Sequence, residues 1–380
     1  LDKTIRCGIG ILEGYEGMET WSANSDQKGD VNLKMGMLNM TIHPMLVGLK
    51  KAWKNGEKGY SYDFIGKDVT RYYTALNNEP EYPFQVDLST LPDNQFSNMF
   101  FFTEGILFAF AHNPLNDEAK RVLERFANVF GQTYRRYLDL QKAEAQSRES
   151  EIQLALERVR ARTMAMHNSE ELGEVAAVLF EQICSLGATL ERLNIGIIRE
   201  EEGIVEWWST EQGGQQINQL FKGSIEEPTT ISKLYSGWKE GKKSIVIELT
   251  GKDLEHWIRH LKEVIGLPYR EDLRKDRRIH TGAFFNHGVL VVSTPEFLPE
   301  ESTALLERFS NVFEQTYTRF LDLKRAEAQA RESQIEVALE RVRSRAMAMH
   351  ASDELIEVLG VLFDQFDFLG IEPVLTHLTL

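Results

Sequence analysis

A chain of 380 residues, 42% of them apolar, is long enough for about two domains of ordinary size and able to bury real cores. Its formal charge of −15, from 43 Lys and Arg against 58 Asp and Glu, repels phosphate backbones and anionic lipid heads and so argues against nucleic acid or a membrane surface as partner. Two cysteines, Cys7 and Cys184, exclude a disulfide framework and a Cys-rich metal site and point to a reducing compartment, the cytoplasm.

In chain order, alternation and turn residues predict strands at Ile5–Leu12 and Met18–Ala23, a short helix near 44–54 that ends at Gly56, a strand at Tyr60–Ile65 and a helix near 67–76. A hairpin of Asn98–Phe102 with Ile106–Ala111 follows. The longest apolar run, Met99–Phe102, stops at Thr103-Glu104-Gly105, far short of the roughly 20 apolar residues that span a bilayer. Behind Pro114, residues 116–167 are interrupted only by Gly131, which makes a helix of about 78 Å at 1.5 Å per residue, longer than any single domain needs. Its first third carries Leu123, Phe126, Phe130, Tyr134 and Tyr137, a stripe assigned to packing on the sheet. Beyond it Ile152, Leu156, Val159, Thr163 and Met166 step 4-3-4-3, the spacing of a coiled-coil seam. A parallel homodimer is the preferred use of that seam, with packing inside one chain as the alternative. Arg158, Arg160 and Arg162 interleave with Glu149, Glu151 and Glu157 and read as a salt-bridged face, not a basic patch.

Ser169 as N-cap, with Glu170 and Glu171 behind it, opens a helix of about 170–186 that closes at Gly187. Strands Leu193–Arg199 and Ile204–Thr210, a helix near 229–240, a strand Ser244–Leu249, a helix near 252–264 and the pair Ala283–Phe285 with Val289–Val292 come next. A second long helix starts at Pro299 and repeats the seam as Ile335, Leu339, Val342, Ala346 and Met349.

The order is that of a repeat. Residues 123–187 return at 306–370 with a constant offset of 183, without gaps and with 44 of 65 residues identical. Upstream the match is weaker: Trp21-Ser22 answers Trp208-Ser209, Trp53-Lys54 answers Trp238-Lys239, Pro83-Phe84 answers Pro268-Tyr269 and Gly105 answers Gly288. Helices entering and leaving antiparallel hairpins predict an α+β fold. The organisation expected is a globular part at 1–115 lacking its entry helix, an exit and linker helix at 116–168, a complete globular part at 169–298, a second exit helix at 299–351 and the start of a third part at 352–380. With no initiator Met and strand-like residues at its start, the chain reads as a piece of a longer protein.

Catalytic motifs are absent from the sequence. It holds no G-x-G-x-x-G after a strand, no P-loop, no H-E-x-x-H and no paired cysteines at metal spacing, so no enzyme activity or metal is expected and no cofactor is named. His167 and His350 end the two linkers as Met-Ala-Met-His, and read as helix-end histidines because the residues after them, Asn168 and Ala351, are not acidic as behind a phospho-acceptor. His256, His260, His280 and His287 occur in the second copy only and read as ordinary surface or core residues, with a metal site the lesser alternative. Cys7 and Cys184 read as small buried hydrophobes. Trp21, Trp53, Phe102, Trp208, Trp238 and Phe285 are core candidates, and also the candidate lining of a small-molecule pocket between sheet and helices.

The entry helix closing at Gly187, the Gly288-Val289-Leu290 hairpin and the Pro-led exit helix with Leu305, Phe309 and Phe313 resemble a GAF domain. The linkers, Ala-Glu-Ala-Gln-x-Arg-Glu-Ser and Leu-Glu-Arg-Val-Arg-x-Arg, resemble the signalling helices that join tandem GAF domains in bacterial sensor proteins, often sensor histidine kinases. The resemblance implies a ligand-sensing or dimerising input segment with no reaction of its own, feeding an output domain outside the chain. The residue set of cyclic-nucleotide-binding members is missing and neither cysteine stands in a bilin context, so neither ligand carries over. The alternative is a ligand-free structural spacer and dimerisation rod, with seam residues Ile152, Leu156, Val159, Met166, Ile335, Leu339, Val342 and Met349 in either case.

Overall fold

The computed structural model describes residues 4–12, 17–25, 31–82, 85–268 and 276–371. Pro83, Phe84 and Tyr269 of the repeat, and the third part beyond Ile371, lie outside the described residues. The chain divides into two compact units, Leu1–Ser147 and Arg148–Leu380.

Unit 1 contains strands β1 (Thr4–Ile11), β2 (Gly17–Ser25) and β3 (Val31–Asn39), helix α1 (Pro44–Lys54), β4 (Gly59–Ile65), α2 (Lys67–Asn77), β5 (Asn94–Phe102), β6 (Gly105–Ala111) and the first part of α3 (Asp117–Met164). All its strand pairs are antiparallel, in the order β3-β2-β1-β6-β5-β4. Strand β3 was not foreseen: Lys34 and Asn39 dilute its apolar signal, and it forms as the edge partner of β2. One face of the sheet packs on α1 and α2, where Met45, Leu46, Leu49, Val69, Tyr72 and Leu76 meet Phe64, Ile106 and Phe108.

Unit 2 holds the rest of α3, then α4 (Leu172–Ser185), β7 (Arg192–Arg199), β8 (Ile204–Thr210), β9 (Gln216–Ser224), α5 (Ile231–Lys239), β10 (Ser244–Thr250), α6 (Gly251–Arg259), β11 (Arg277–Phe285), β12 (Gly288–Thr294), α7 (Glu300–Met347) and α8 (Leu355–Phe368). A π-helical turn over His260–Ile265 continues α6. The order β10-β11-β12-β7-β8-β9 is that of unit 1 read from the other edge, so both units are α+β with the same antiparallel topology. Gly105 and Gly288 open the last strand in each for a steric reason: a Cβ there would lie 2.0 Å from Gly10 O or 1.9 Å from Gly196 O.

The unit 2 sheet has a core on each face. One joins Val205, Trp207, Phe221, Leu234, Trp257 and Val291 under α5 and α6. The other joins Leu193, Ile195, Trp208 and Phe285 to α4, to α7 and to the end of α3. The linker seam is part of this second core: Ile152, Leu156, Val159 and Met166 are buried there, and Thr163 is fully buried, donating to the Val159 carbonyl at 2.9 Å. The chain thus covers its own first seam, because the residues that follow turn back as α4 and fold onto it. In the second seam Leu339 is exposed and Ile335, Val342 and Met349 are half-buried.

The turn at the end of α3 also differs from expectation. The helix stops at Met164, so His167 lies beyond it, and the capping residue is Asn168, not Ser169. Asn168 accepts from Glu170 N while the Glu171 carboxylate accepts from the Asn168 backbone, a reciprocal box that satisfies two free helix-end donors.

Candidate ligand-binding cavity

Register builds the cavity floor. In antiparallel pairing Arg192 lies opposite Ser293 and Ser293 opposite His280, so a row of polar side chains crosses β7, β12 and β11 on the face toward α5 and α6. Arg278, two residues before His280 on β11, shares that face by strand alternation. Trp207, Phe221, Leu234, Trp257 and Leu261 form apolar walls around a cavity of about 40 Å³.

The polar groups are buried and specifically held. Ser293 Oγ lies 2.9 Å from His280 Nδ1. Burial, reinforced by the nearby Arg278 and Arg192 guanidiniums, pushes His280 down to about 3, so the ring is neutral at pH 7. Arg278 pairs with Glu191 at 3.2 Å, and Arg192 donates to the Pro268 carbonyl. Trp257 Nε1, Thr230 Oγ1 and His280 Nε2 are buried around the cavity without a hydrogen-bond partner among the described residues. An indole N–H can only donate, and buried polar groups are rarely left unpaired.

The roof is set by a carboxylate. Glu227, buried just ahead of α5, accepts from the backbone N–H of Thr229, Thr230 and Ile231, each at 2.9 Å, and from the Thr229 hydroxyl. Burial alone would raise its pKa, but these hydrogen bonds outweigh it and hold the carboxyl below the usual value. The cap anchors the first turn of α5, where Thr230 and Leu234 face the cavity.

Unit 1 has the same position filled. Matching Ile11–Gly105 with Ile197–Gly288 puts Arg6 at the place of Arg192, and Phe108 and Phe110 at the places of Val291 and Ser293. Phe108, Phe110 and Tyr72 occupy the space, leaving about 10 Å³. The Arg6 guanidinium lies over Phe108 and Phe110, each at 5.3 Å, and donates to the Tyr82 hydroxyl.

None of the six aromatics singled out by sequence lines the cavity. Trp208 and Phe285 lie on the opposite sheet face in the core under α4 and α7, because a one-residue step in a strand reverses the face. Trp238 is half-buried with its N–H on the Phe285 carbonyl at 3.0 Å, Trp53 is half-buried beside the unit 1 core, and Phe102 packs edge-on against Phe130 of α3. Trp21 is 39% exposed. Cys7 is exposed, contrary to expectation, since no helix among the described residues covers β1 as α4 covers β7; Cys184 is half-buried and burial raises its thiol. The residues that line the cavity, Trp207, Trp257, Arg192, Arg278 and His280, had one visible signal: Arg278 and His280 alternate about Ile279 in a strand that is buried along almost its whole length. Of the four histidines, His260 and His280 flank Trp257, whereas His287 stands edge-on to Tyr317 of α7. Among the described residues no cluster of three or more His, Cys, Asp or Glu is placed to hold a metal.

No family model and no curated protein matches the chain. Among solved structures it is similar to the bacteriophytochrome RpBphP3 from the photosynthetic bacterium R. palustris, with 10% identity and a TM-score of 0.31 over 97% of this chain and 66% of that one. The chain thus spans somewhat less than two thirds of that relative's length. No helix among the described residues is long and apolar enough to cross a membrane.

Proposed function

We propose that the chain is a regulatory input segment, GAF-like in both units, in which unit 2 binds a small molecule and unit 1 is structural. The observation that carries this is the difference between two otherwise equivalent places: a cavity of about 40 Å³ over Arg192, His280 and Ser293 in unit 2, against about 10 Å³ left by Phe108, Phe110 and Tyr72 in unit 1. Indole walls suit a flat apolar body, and the Trp257 N–H asks for an acceptor oxygen. The ligand class is therefore a small ring compound carrying a carbonyl or carboxylate. His280 is buried, neutral and hydrogen-bonded to Ser293, which supports a binding role for the ring. We read the segment as non-enzymatic, with a reaction, if any, in another part of its parent protein, and as cytoplasmic.

Strand β11 supplies a route for the signal. It carries Arg278 and His280 at the cavity and, at its far end, Ala283 and Phe284, whose carbonyls accept from Ser310 Oγ of α7 at 3.2 and 3.0 Å. Phe285 packs on Phe313 of the same helix. A ligand that favours one setting of β11 would bias α7, since a ligand shifts an equilibrium by its differential affinity for the two states. Mass spectrometry of the natively purified chain tests the reading: one equivalent of a small ring compound released on denaturation supports it, and a chain that neither carries nor takes up any such compound refutes it.

A further inference from the structure

Tyr82 carries a phenol into the core of unit 1, and its oxygen is held from two sides. The Arg6 guanidinium donates to it, and Ser22 Oγ lies 3.2 Å from it and 3.4 Å from Arg6 Nη2. All three side chains are buried. Two of them recur in unit 2. Arg192 stands at the place of Arg6, and Ser209 at the place of Ser22, since Ser22 pairs with Gly8 and Ser209 with Asn194 at the same step of the first strand. Both are buried and both line the cavity. The phenol itself is lost. Residues 66–68 and 83 answer 251–253 and 268 at a constant offset of 185, which sets Leu267 at the place of Tyr82. Leu267 also lines the cavity, with a side chain that offers no oxygen.

The rings beside that oxygen are lost with it. In unit 1 the Arg6 guanidinium lies over Phe108 and Phe110, and in unit 2 Val291 and Ser293 replace them. Unit 2 therefore keeps the pair that grips a phenol oxygen and lacks both the oxygen and the rings. Arg192 donates to the Pro268 carbonyl, and a guanidinium has donors for more than one acceptor. Trp257 Nε1, buried at the same cavity without a partner among the described residues, is a donor for a second oxygen.

We propose, building on the reading of unit 2 as ligand-binding, that its cavity takes a phenol. The phenolic oxygen lies between Arg192 and Ser209, the ring over Val291 and Ser293, and a carbonyl or carboxylate oxygen of the same molecule on the Trp257 N–H. The ring enters by displacing a wall, because an apolar cavity that takes up benzene measures about 150 Å³, against about 40 Å³ here. That wall is the π-helical turn over His260–Ile265, whose Leu261 and Ile265 line the cavity. The matching helix of unit 1, α2, ends at Asn77 without one, and π-helical turns recur at functional sites.

Isothermal titration of the full chain with two pairs of compounds tests this: 4-hydroxybenzoate against benzoate, and 4-hydroxyacetophenone against acetophenone. In at least one pair the hydroxylated member should bind about tenfold or more tightly than its partner, because a site built for a hydroxyl rejects the analogue without it. Ser209→Ala should bring the two members together while the unhydroxylated one binds as before, which a loss of folding would not produce. Leu267→Tyr returns the internal phenol to the Arg192–Ser209 pair and should also remove the preference. Equal binding within both pairs, or a preference that survives both substitutions, would overturn the phenol assignment and leave the ligand-binding reading standing. No binding by any of the four would overturn it as well, and the reading itself then stands or falls on mass spectrometry of the purified chain.

Discussion

Arg6 and Arg192 hold the same place on the first strand of their sheets, but Arg6 is sandwiched by Phe108, Phe110 and Tyr82 while Arg192 borders an open cavity. The difference arises one strand away, where unit 1 has Phe108 and Phe110 and unit 2 has Val291 and Ser293. Two ring volumes thus separate a filled core from a cavity on one topology.

Removing a ring should therefore weaken unit 1. Phe110 is 2% exposed and stacks near Phe64 and Tyr72, so Phe110→Ala should destabilise unit 1 by about 3–5 kcal/mol, lost transfer energy plus a cavity. Urea unfolding followed by circular dichroism reads this directly.

The hidden histidine gives a pH signature. Because His280 titrates near 3 when folded and near 6.5 when unfolded, the unfolded chain holds the extra proton between those values, and stability falls as pH drops through that window. His280→Gln should flatten the fall by up to about 1.4 kcal/mol per pH unit. Denaturant midpoints from pH 7 down to pH 4 measure it.

Glu227 has the opposite chemistry and the same direction. Its folded pKa is depressed, so the stability it contributes is present above the ordinary carboxylate value and is lost as pH falls through the folded one. Glu227→Ala leaves the first α5 amides unpaired and should cost about 1–2 kcal/mol, the range of a lost helix cap, at neutral pH. Hydrogen exchange at Thr230 and Ile231 should quicken in that variant while the α4 amides stay protected.

Equivalent phenylalanines should respond unequally. Phe309→Ala should cost about 3–5 kcal/mol, as for a buried ring, and Phe126→Ala no more than about 0.5 kcal/mol, as for an exposed one, since the first is 0% exposed and the second 62%. Parallel urea melts on dilute samples separate the two.

Much of the fold is legible in the amino-acid order. The repeated linkers, the Pro-led helices and the Gly105 and Gly288 hairpins place most elements, because caps and periodicity are local signals. Strand β9 escapes because Gln216, Asn218 and Gln219 read as loop, and only pairing with β8 makes it a strand. The seam is visible as 4-3-4-3 spacing, but spacing does not say whether α4 or another chain covers it. The cavity is the least legible feature. Adjacent Trp207 and Trp208 differ only in strand phase, and whether space remains over Arg192 depends on side chains at 291 and 293, distant in sequence.

The most direct test of the account compares thermal shifts of the chain and its Ser293→Phe variant against a panel of small aromatic carboxylates. This substitution gives unit 2 the ring that Phe110 supplies in unit 1. Compounds that raise the melting temperature of the natural chain and leave Ser293→Phe unmoved are the expected result. Shifts of equal size in both, or none in either, would contradict it.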